Sequence, residues 1–139
     1  MRTHVEFRSD LFPPYPGEED EINPNLWGKR FAEFLQLKLV EQGIAVGDQG
    51  DPFVEDWGVG FHIENTPFDM WIGCGRYQQW EDGYLVFIEP SKPTVRKGLF
   101  GKVDTRADVE RVANAIDRIL LEEPAIKDVR WWREDELPR

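Results

Sequence analysis

Few residues of this 139-residue chain have the types and spacing that catalysis or metal binding needs. The only histidines are His4 and His62, and the only cysteine is Cys74. A zinc site would have to draw on these three and on Glu64, but none of them has the Cys-x-x-Cys or His-x-x-x-His spacing of a metal site. We therefore expect neither a metal site nor a cofactor.

A nucleophilic pair of Cys74 and His62 is the next possibility. The two residues fall on neighbouring predicted strands, but the period of two turns their side chains to opposite faces, and a catalytic pair needs hydrogen-bond contact. The segment Gly73-Cys74-Gly75 lacks the lysine and the following helix of a phosphate loop. The acidic loop at 48–55 lacks the 12-residue spacing of a calcium loop. These observations favour a non-enzymatic protein over an enzyme.

Charge and composition narrow the classes of partner. The net charge is -10, and the basic residues are scattered along the sequence. Such a surface repels phosphate backbones and anionic lipids, so we expect no nucleic-acid and no membrane partner; a partner with a basic surface would be attracted instead. No apolar run approaches the roughly 20 residues of a spanning helix, and the single cysteine is typical of a reducing compartment. We therefore expect a cytoplasmic protein.

Hydrophobic periodicity predicts five strands and two helices in one domain, 1–139. The order is β-α-β-β-β-α-β. Two helices with one apolar face each need a sheet to pack on, so the predicted fold is an α+β two-layer sandwich with a mostly antiparallel sheet. The predicted segments are a strand at Thr3–Arg8, a helix from Pro24 or Leu26 to about Gln42, strands at Trp57–Glu64, Phe68–Gly75 and Tyr84–Glu89, a helix from Thr105 to just before Pro124, and a strand at Lys127–Trp132.

Two long segments contain proline or glycine and read as loops. Residues Ser9–Asn25 combine several prolines with four consecutive acids, which predicts an irregular, solvated surface loop. Residues Ser91–Asp104 are predicted as a second loop. Each predicted helix begins with a capping signal at the end of one of these loops. Asn23 before Pro24 is a suitable N-cap for the first helix, and Thr105 with Asp108 is close to a capping box for the second.

The three middle strands carry apolar side chains on both faces. Residues such as Val59, Phe61 and Ile63 supply the face that packs on the helices, whereas the alternate positions hold aromatic and polar groups where a solvated face should be polar. Glycines lie among them, and a strand glycine can mark the close approach of another backbone or a ligand. The candidate binding residues are Trp57, His62, Glu64, Trp71, Arg76, Tyr77 and Trp80.

Two interpretations of this second face stay open. The loops of the chain could cover it, either Ser9–Asn25 with its apolar residues or Ser91–Asp104. Alternatively it is exposed and binds a protein or peptide, because tryptophan and tyrosine dominate binding hot spots. A small-molecule pocket or enzyme site that uses His62, Glu64 and Arg76 is a further alternative, and so is a homodimer. Acids near the ends of these strands would prefer a cationic partner: Glu55, Asp56, Glu64, Asp69, Glu81 and Asp82.

Three segments of the sequence carry a resemblance to known proteins. Trp57-Gly58, the run from Trp71 to Gly75, and Phe87-Ile88-Glu89-Pro90 before a capped amphipathic helix resemble small acidic bacterial α+β proteins of unknown function, some of them immunity proteins that neutralise toxins. The resemblance covers roughly Trp57 to Leu120 and identifies no functional residue. It implies a bacterial cytoplasmic protein, and an acidic antidote would suit a basic toxin.

Overall fold

The computed structural model describes residues 1–21 and 24–138. It contains three α-helices, a six-stranded sheet and a two-stranded sheet, which confirms the predicted α+β class. In chain order they are β1 (His4–Arg8), α1 (Glu18–Glu21), α2 (Lys29–Glu41), β2 (Phe53–Glu55), β3 (Gly58–Ile63), β4 (Met70–Arg76), β5 (Gly83–Glu89), β6 (Thr94–Lys97), β7 (Gly101–Asp104), α3 (Arg106–Glu122) and β8 (Lys127–Trp131).

Six of the strands form one antiparallel sheet in the order β2-β3-β4-β5-β1-β8. The prediction of about five strands missed β2, because three residues between Pro52 and Asp56 are too few to show a period. The predicted loop Ser91–Asp104 contains the separate hairpin β6–β7, in which Val95 pairs with Val103. Its glycines lie at the hairpin tip, where they allow the turn.

One face of the sheet and the two long helices enclose the core. Val59, Phe61, Ile63 and their counterparts on the neighbouring strands are almost completely buried, as the alternation predicts. The apolar stripe of α3 is buried against them, from Val109 to Leu120. Burial of each large apolar side chain contributes about 1.5–3 kcal/mol, so this layer holds most of the hydrophobic stabilisation.

The proline-rich segment packs on the helix side of the sheet. Phe12 is buried, and its ring centroid lies 4.9 Å from that of Phe31 and 5.1 Å from that of Phe34. The indole N–H of Trp27 donates a 3.1 Å hydrogen bond to the carbonyl of Phe12. The predicted surface loop is therefore anchored in the core at Phe12, and it covers the helix side of the sheet.

The acidic run within that segment caps α2. Glu18 is buried and begins the short helix α1, and its carboxylate accepts hydrogen bonds from the backbone N–H groups of Gly28 (3.0 Å) and Lys29 (2.9 Å). These donors are among those that a helix N-terminus leaves without partners. The predicted start at Pro24 or Leu26 is thus replaced by Lys29, and the proposed cap Asn23 lies outside the described residues.

The hydroxyl of Thr105 does not cap α3, although Thr105 occupies the predicted N-cap position. It donates to the carbonyl of Lys92, which fixes the base of the β6–β7 hairpin. The carboxylate of Asp104 accepts a hydrogen bond from the backbone N–H of Arg106 instead, at 2.9 Å.

Among the described residues, no helix is long and apolar enough to cross a membrane.

Candidate binding site

The sheet face that points away from α2 and α3, called the second face below, carries a continuous row of aromatic rings. The row crosses every strand of the large sheet, and each ring contacts the next at a centroid distance between 5.0 and 5.9 Å. Apart from the buried ring of His4, these rings are half-buried. In order along the row they are Phe53, Trp71, Trp57, Phe87, His4, Trp132 and Tyr77.

Two strand glycines provide the floor on which these rings lie. A Cβ atom at Gly73 would lie 2.3 Å from Cζ of Phe87, and one at Gly60 would lie 2.4 Å from Cζ of Phe53. Only glycine leaves room for a ring from the neighbouring strand at this distance. The group that approaches these glycines is therefore an aromatic side chain of the same chain.

The row ends at β2 in an open depression of about 540 Å³, called the β2-end depression below. Half-buried rings and carboxylates line it together. The lining residues are Asp48, Phe53, Glu55, Trp57, His62, Asp69 and Trp71. An adjoining open depression of about 850 Å³ shares Asp48, His62 and Asp69 and extends along the 64–69 turn to β6. The adjoining depression is also lined by Arg96 and Lys97, whereas the β2-end depression contains carboxylates and no lysine or arginine among its lining residues.

His62 is held by Asp48 at the boundary of the two depressions. Its Nδ1 lies 2.8 Å from Oδ2 of Asp48, and its backbone N–H donates to the same oxygen at 2.9 Å. Burial acts to raise the pKa of Asp48, but the hydrogen bonds from His62 outweigh it and lower that pKa below the usual aspartate value. Nε2 of His62 lies 3.9 Å from Oδ1 of Asp69. The imidazole is thus placed between two carboxylates.

The structure brings some of the predicted binding residues together and separates others. Trp57, His62 and Trp71 line the β2-end depression, and Glu64 lines the adjoining one. Tyr77 lies near the β8 end of the row, where its ring contacts Trp132 at 5.9 Å. Four of the predicted residues therefore lie together at the β2 end, and Tyr77 lies at the opposite end of the row.

Trp80 and Arg76 belong to neither depression. The guanidinium of Arg8 lies 4.6 Å from the ring centroid of Trp80. The guanidinium of Arg76 lies 4.2 Å from the ring of Trp27, and it donates to backbone carbonyls of the turn that precedes β5. By the period of two, Arg76 shares the helix side of β4 with Met70, and this parity was the signal that could have excluded it from the second face.

Sequence reasoning missed Phe53 and Asp48 as members of the site. Phe53 belongs to β2, which is too short to recognise, and only its register against Gly60 places its ring beside Trp71. Asp48 has a positive φ of 58°, in a loop that a β-bridge between Val46 and Ile63 ties to β3. Neither register nor bridge can be read from a single sequence.

The structure does not bring Cys74 and His62 together as a nucleophilic pair. Cys74 is completely buried in the core, and burial raises the pKa of its thiol, so the sulfur is held as the neutral thiol. His62 lies on the other face of the sheet. Within residues 1–21 and 24–138, no three His, Cys, Asp or Glu side chains form a group that could hold a metal ion.

Comparisons with protein-family models, with curated proteins and with solved structures give no significant match. The resemblance to small bacterial proteins of immunity type therefore stays a prediction. Functional residues can be assigned only from the geometry and chemistry of the chain itself.

Proposed function

We propose that this chain is a non-enzymatic binding protein that holds a protein or peptide with a basic surface on its second face. This proposal rests on the row of half-buried aromatic rings that ends among carboxylates at β2. Tryptophan and other aromatic side chains provide large contact areas at little entropic cost, which is why they dominate binding hot spots. An antidote to a basic toxin is the most specific version of this function.

The exposure of the row supports a partner. Trp71 and Phe87 are only half-buried, and Phe12, which could have covered them, packs against Phe31 on the other side of the sheet. The rings cover one another only in part, so their remaining apolar surface would be buried by a partner. Burial of such surface contributes about 25 cal/mol per Å².

The shape of the face supports a large partner over an enclosed ligand. Both depressions at β2 are open to solvent, whereas small-molecule sites enclose most of their ligand. The polar groups of the small-molecule alternative, His62, Glu64 and Arg76, do not converge, because Arg76 lies against Trp27. An open, aromatic surface with polar edges is typical of protein recognition.

The charge of the face supports a basic partner. Glu55 and Asp69 are exposed in the β2-end depression, and among the described residues no lysine or arginine pairs with either of them. With a net charge of -10, the whole chain would also steer a basic partner toward this surface.

Peptide retention tests this function directly. The immobilised protein is probed with lysine- and arginine-containing peptides, and with the same peptides carrying glutamate at those positions. We expect the basic peptides alone to be retained, and we expect Trp71→Ala to lose them. Leu121→Ala removes an apolar side chain that is 67% exposed outside the second face, and this matched control should retain them.

A second variant protects the test against misfolding. Glu55→Lys combined with Asp69→Lys changes only exposed side chains, and it should also lose the basic peptides while unfolding like the wild type. Equal retention by all four proteins would remove the proposed site. If light scattering instead shows a dimer that Trp71→Ala dissociates, the partner is a second copy of this chain.

A further inference from the structure

Most tryptophans outside the β2-end depression have the guanidinium of an arginine of the same chain over the indole ring. A guanidinium placed over an indole face is attracted by the negative face of the ring. Among the described residues this arrangement occurs at three tryptophans, and the shortest arginine–tyrosine pair has the same geometry. The pairs are Arg76 with Trp27 at 4.2 Å, Arg8 with Trp80 at 4.6 Å, Arg2 with Trp131 at 4.8 Å and Arg30 with Tyr15 at 4.1 Å.

Trp57 and Trp71 differ from these tryptophans. Within the part of the chain that the structure describes, no lysine or arginine lies over either ring, and none lines the β2-end depression. The two indoles stack on each other at 5.8 Å, and Phe53 meets Trp71 edge-on at the same distance. Both indoles line an open depression that, among the described residues, no lysine or arginine of the chain lines.

Carboxylates surround these rings. Asp48, Glu55 and Asp69 line the same depression, and the lowered pKa of Asp48 keeps its carboxylate ionised at neutral pH. Carboxylates and ring faces attract the same ligand, because both present negative potential to it. A neutral or anionic group would gain nothing from the carboxylates or would be repelled.

We infer that the β2-end depression binds one organic cation, a guanidinium or an ammonium carried on an aliphatic stem. The rings favour such a cation over an inorganic one, since a guanidinium or alkylammonium is weakly hydrated and has apolar surface to bury. A hard divalent ion needs several converging oxygen ligands, which the described residues do not provide.

This inference rests on the proposed function for the source of the cation, which would be an arginine or lysine side chain of the partner. It adds the position at which that side chain binds and the chemistry that selects it. A quaternary ammonium group has the same chemistry and serves as a second probe.

The test follows the indole N–H resonances of the full chain during titration with Nα-acetyl-arginine amide. Nα-acetyl-citrulline amide is the matched control, because its urea group has the shape of the guanidinium without the charge. Trp57→Phe and Trp71→Phe assign the two resonances, and Trp27 and Trp131 serve as internal references. Tetramethylammonium is titrated in the same way.

We expect saturable shifts at Trp57 and Trp71 and none at the reference indoles. Arginine amide should bind at least about tenfold more tightly than citrulline amide, which corresponds to 1.4 kcal/mol. Glu55→Gln with Asp69→Asn should weaken the binding of both cations severalfold and reduce its dependence on salt. Equal binding of citrulline amide, or shifts spread over all the indoles, would overturn the inference.

The result also separates this inference from the proposed function. If the cations bind as expected but no basic peptide is retained, the cation site stands and the protein partner falls. If Glu55→Gln with Asp69→Asn retains basic peptides and neither cation shifts Trp57 or Trp71, the peptide-binding face stands and the cation site falls.

Discussion

At the β8 end of the second face an arginine of the chain pairs with two carboxylates, whereas at the β2 end no arginine or lysine pairs with Glu55 or Asp69 among the described residues. Arg130 donates to Glu6 at 2.6 Å and to both oxygens of Glu136 at 2.9 Å, and the indole of Trp132 donates to Glu6 as well. At β2, Glu55 and Asp69 have no such arginine within the described residues. The same aromatic row therefore ends once in a closed network and once in an open, negative surface.

The difference shows how one row of rings can serve two purposes. Where cations and carboxylates of the chain satisfy each other, a further partner would have to compete with existing hydrogen bonds, which makes binding there costly. Where they do not, the charge is available to a partner. The β8 end thus contributes to the fold, and the β2 end is the part that we assign to recognition.

Gly73→Ala should have the largest effect, because it breaks the row between the two ends. The new Cβ would lie 2.3 Å from the ring of Phe87, so that ring must move away from Trp57 and Trp71. We expect a loss of about 1–3 kcal/mol in the free energy of unfolding, measured with denaturant.

Gly47→Ala is the control for that measurement. Its Cβ would meet the far end of the Glu64 side chain, which can rotate away, so the free energy of unfolding should change much less. Equal losses for the two variants would show that the Phe87 ring does not depend on Gly73 for its place.

Charge reversal at β2 should have the next largest effect, on binding alone. Glu55→Lys with Asp69→Lys turns the open end positive, so the dissociation constant for a basic peptide should rise at least about tenfold, as measured by calorimetry. Glu110→Lys with Glu122→Lys makes the same charge change on the exposed side of α3 and should alter binding far less. Equal weakening would mean that only net charge matters.

Removal of the arginine at the β8 end should raise the pKa of Glu136. Hydrogen bonds from Arg130, and then from the backbone of Arg133, hold this pKa at about 2. In Arg130→Met it should rise toward the ordinary glutamate value, which carboxyl NMR can follow. Arg133→Met keeps the backbone donor to Glu136 and removes a guanidinium that pairs with Asp135 at 3.1 Å and lies 3.9 Å from Glu136, so the pKa of Glu136 should stay low. An unchanged pKa in both variants would contradict the closed network.

The smallest expected effect is the pH dependence of His4, which joins the two ends of the row. Its ring stacks between Phe87 and Trp132, and burial lowers its pKa below 6.5. The unfolded chain therefore takes up this proton first, so stability should fall as the pH drops below 6.5 toward the folded-state pKa.

One such proton contributes at most about 1.4 kcal/mol per pH unit. His4→Phe keeps the ring and removes the proton, so its stability should depend less on pH in that window. Parallel stability curves for the wild type and His4→Phe would contradict the buried, neutral histidine.

The sequence predicted the layers of this fold better than its edges. The strict alternation around Phe61, Ile72 and Val86 identified the helix-facing side, and the stripe from Val109 to Leu120 identified α3. Both signals are local and periodic. The cap that Glu18 provides for α2 could not be predicted, because it joins residues about ten positions apart through a turn that has no period.

A residue of the candidate site could be predicted only where the alternation of side chains within its own strand shows which face it occupies. Trp71 was recognised because its own strand alternates, whereas Phe53 reaches the site through the pairing of β2 with β3. Asp48 reaches it through a loop. Arg76 was assigned to the second face although its parity with Met70 places it on the other one. Long-range register and loop conformation therefore account for the differences.

The most direct test of the second face is a chemical-shift map of the isotope-labelled protein with an arginine-containing basic peptide. We predict that the shifted resonances cluster at Trp57, His62 and Trp71, and that the β8-end resonance of Trp132 shifts little. Shifts that cluster on α2 and α3, or the absence of any shift with basic peptides, would contradict the assignment of recognition to the β2 end.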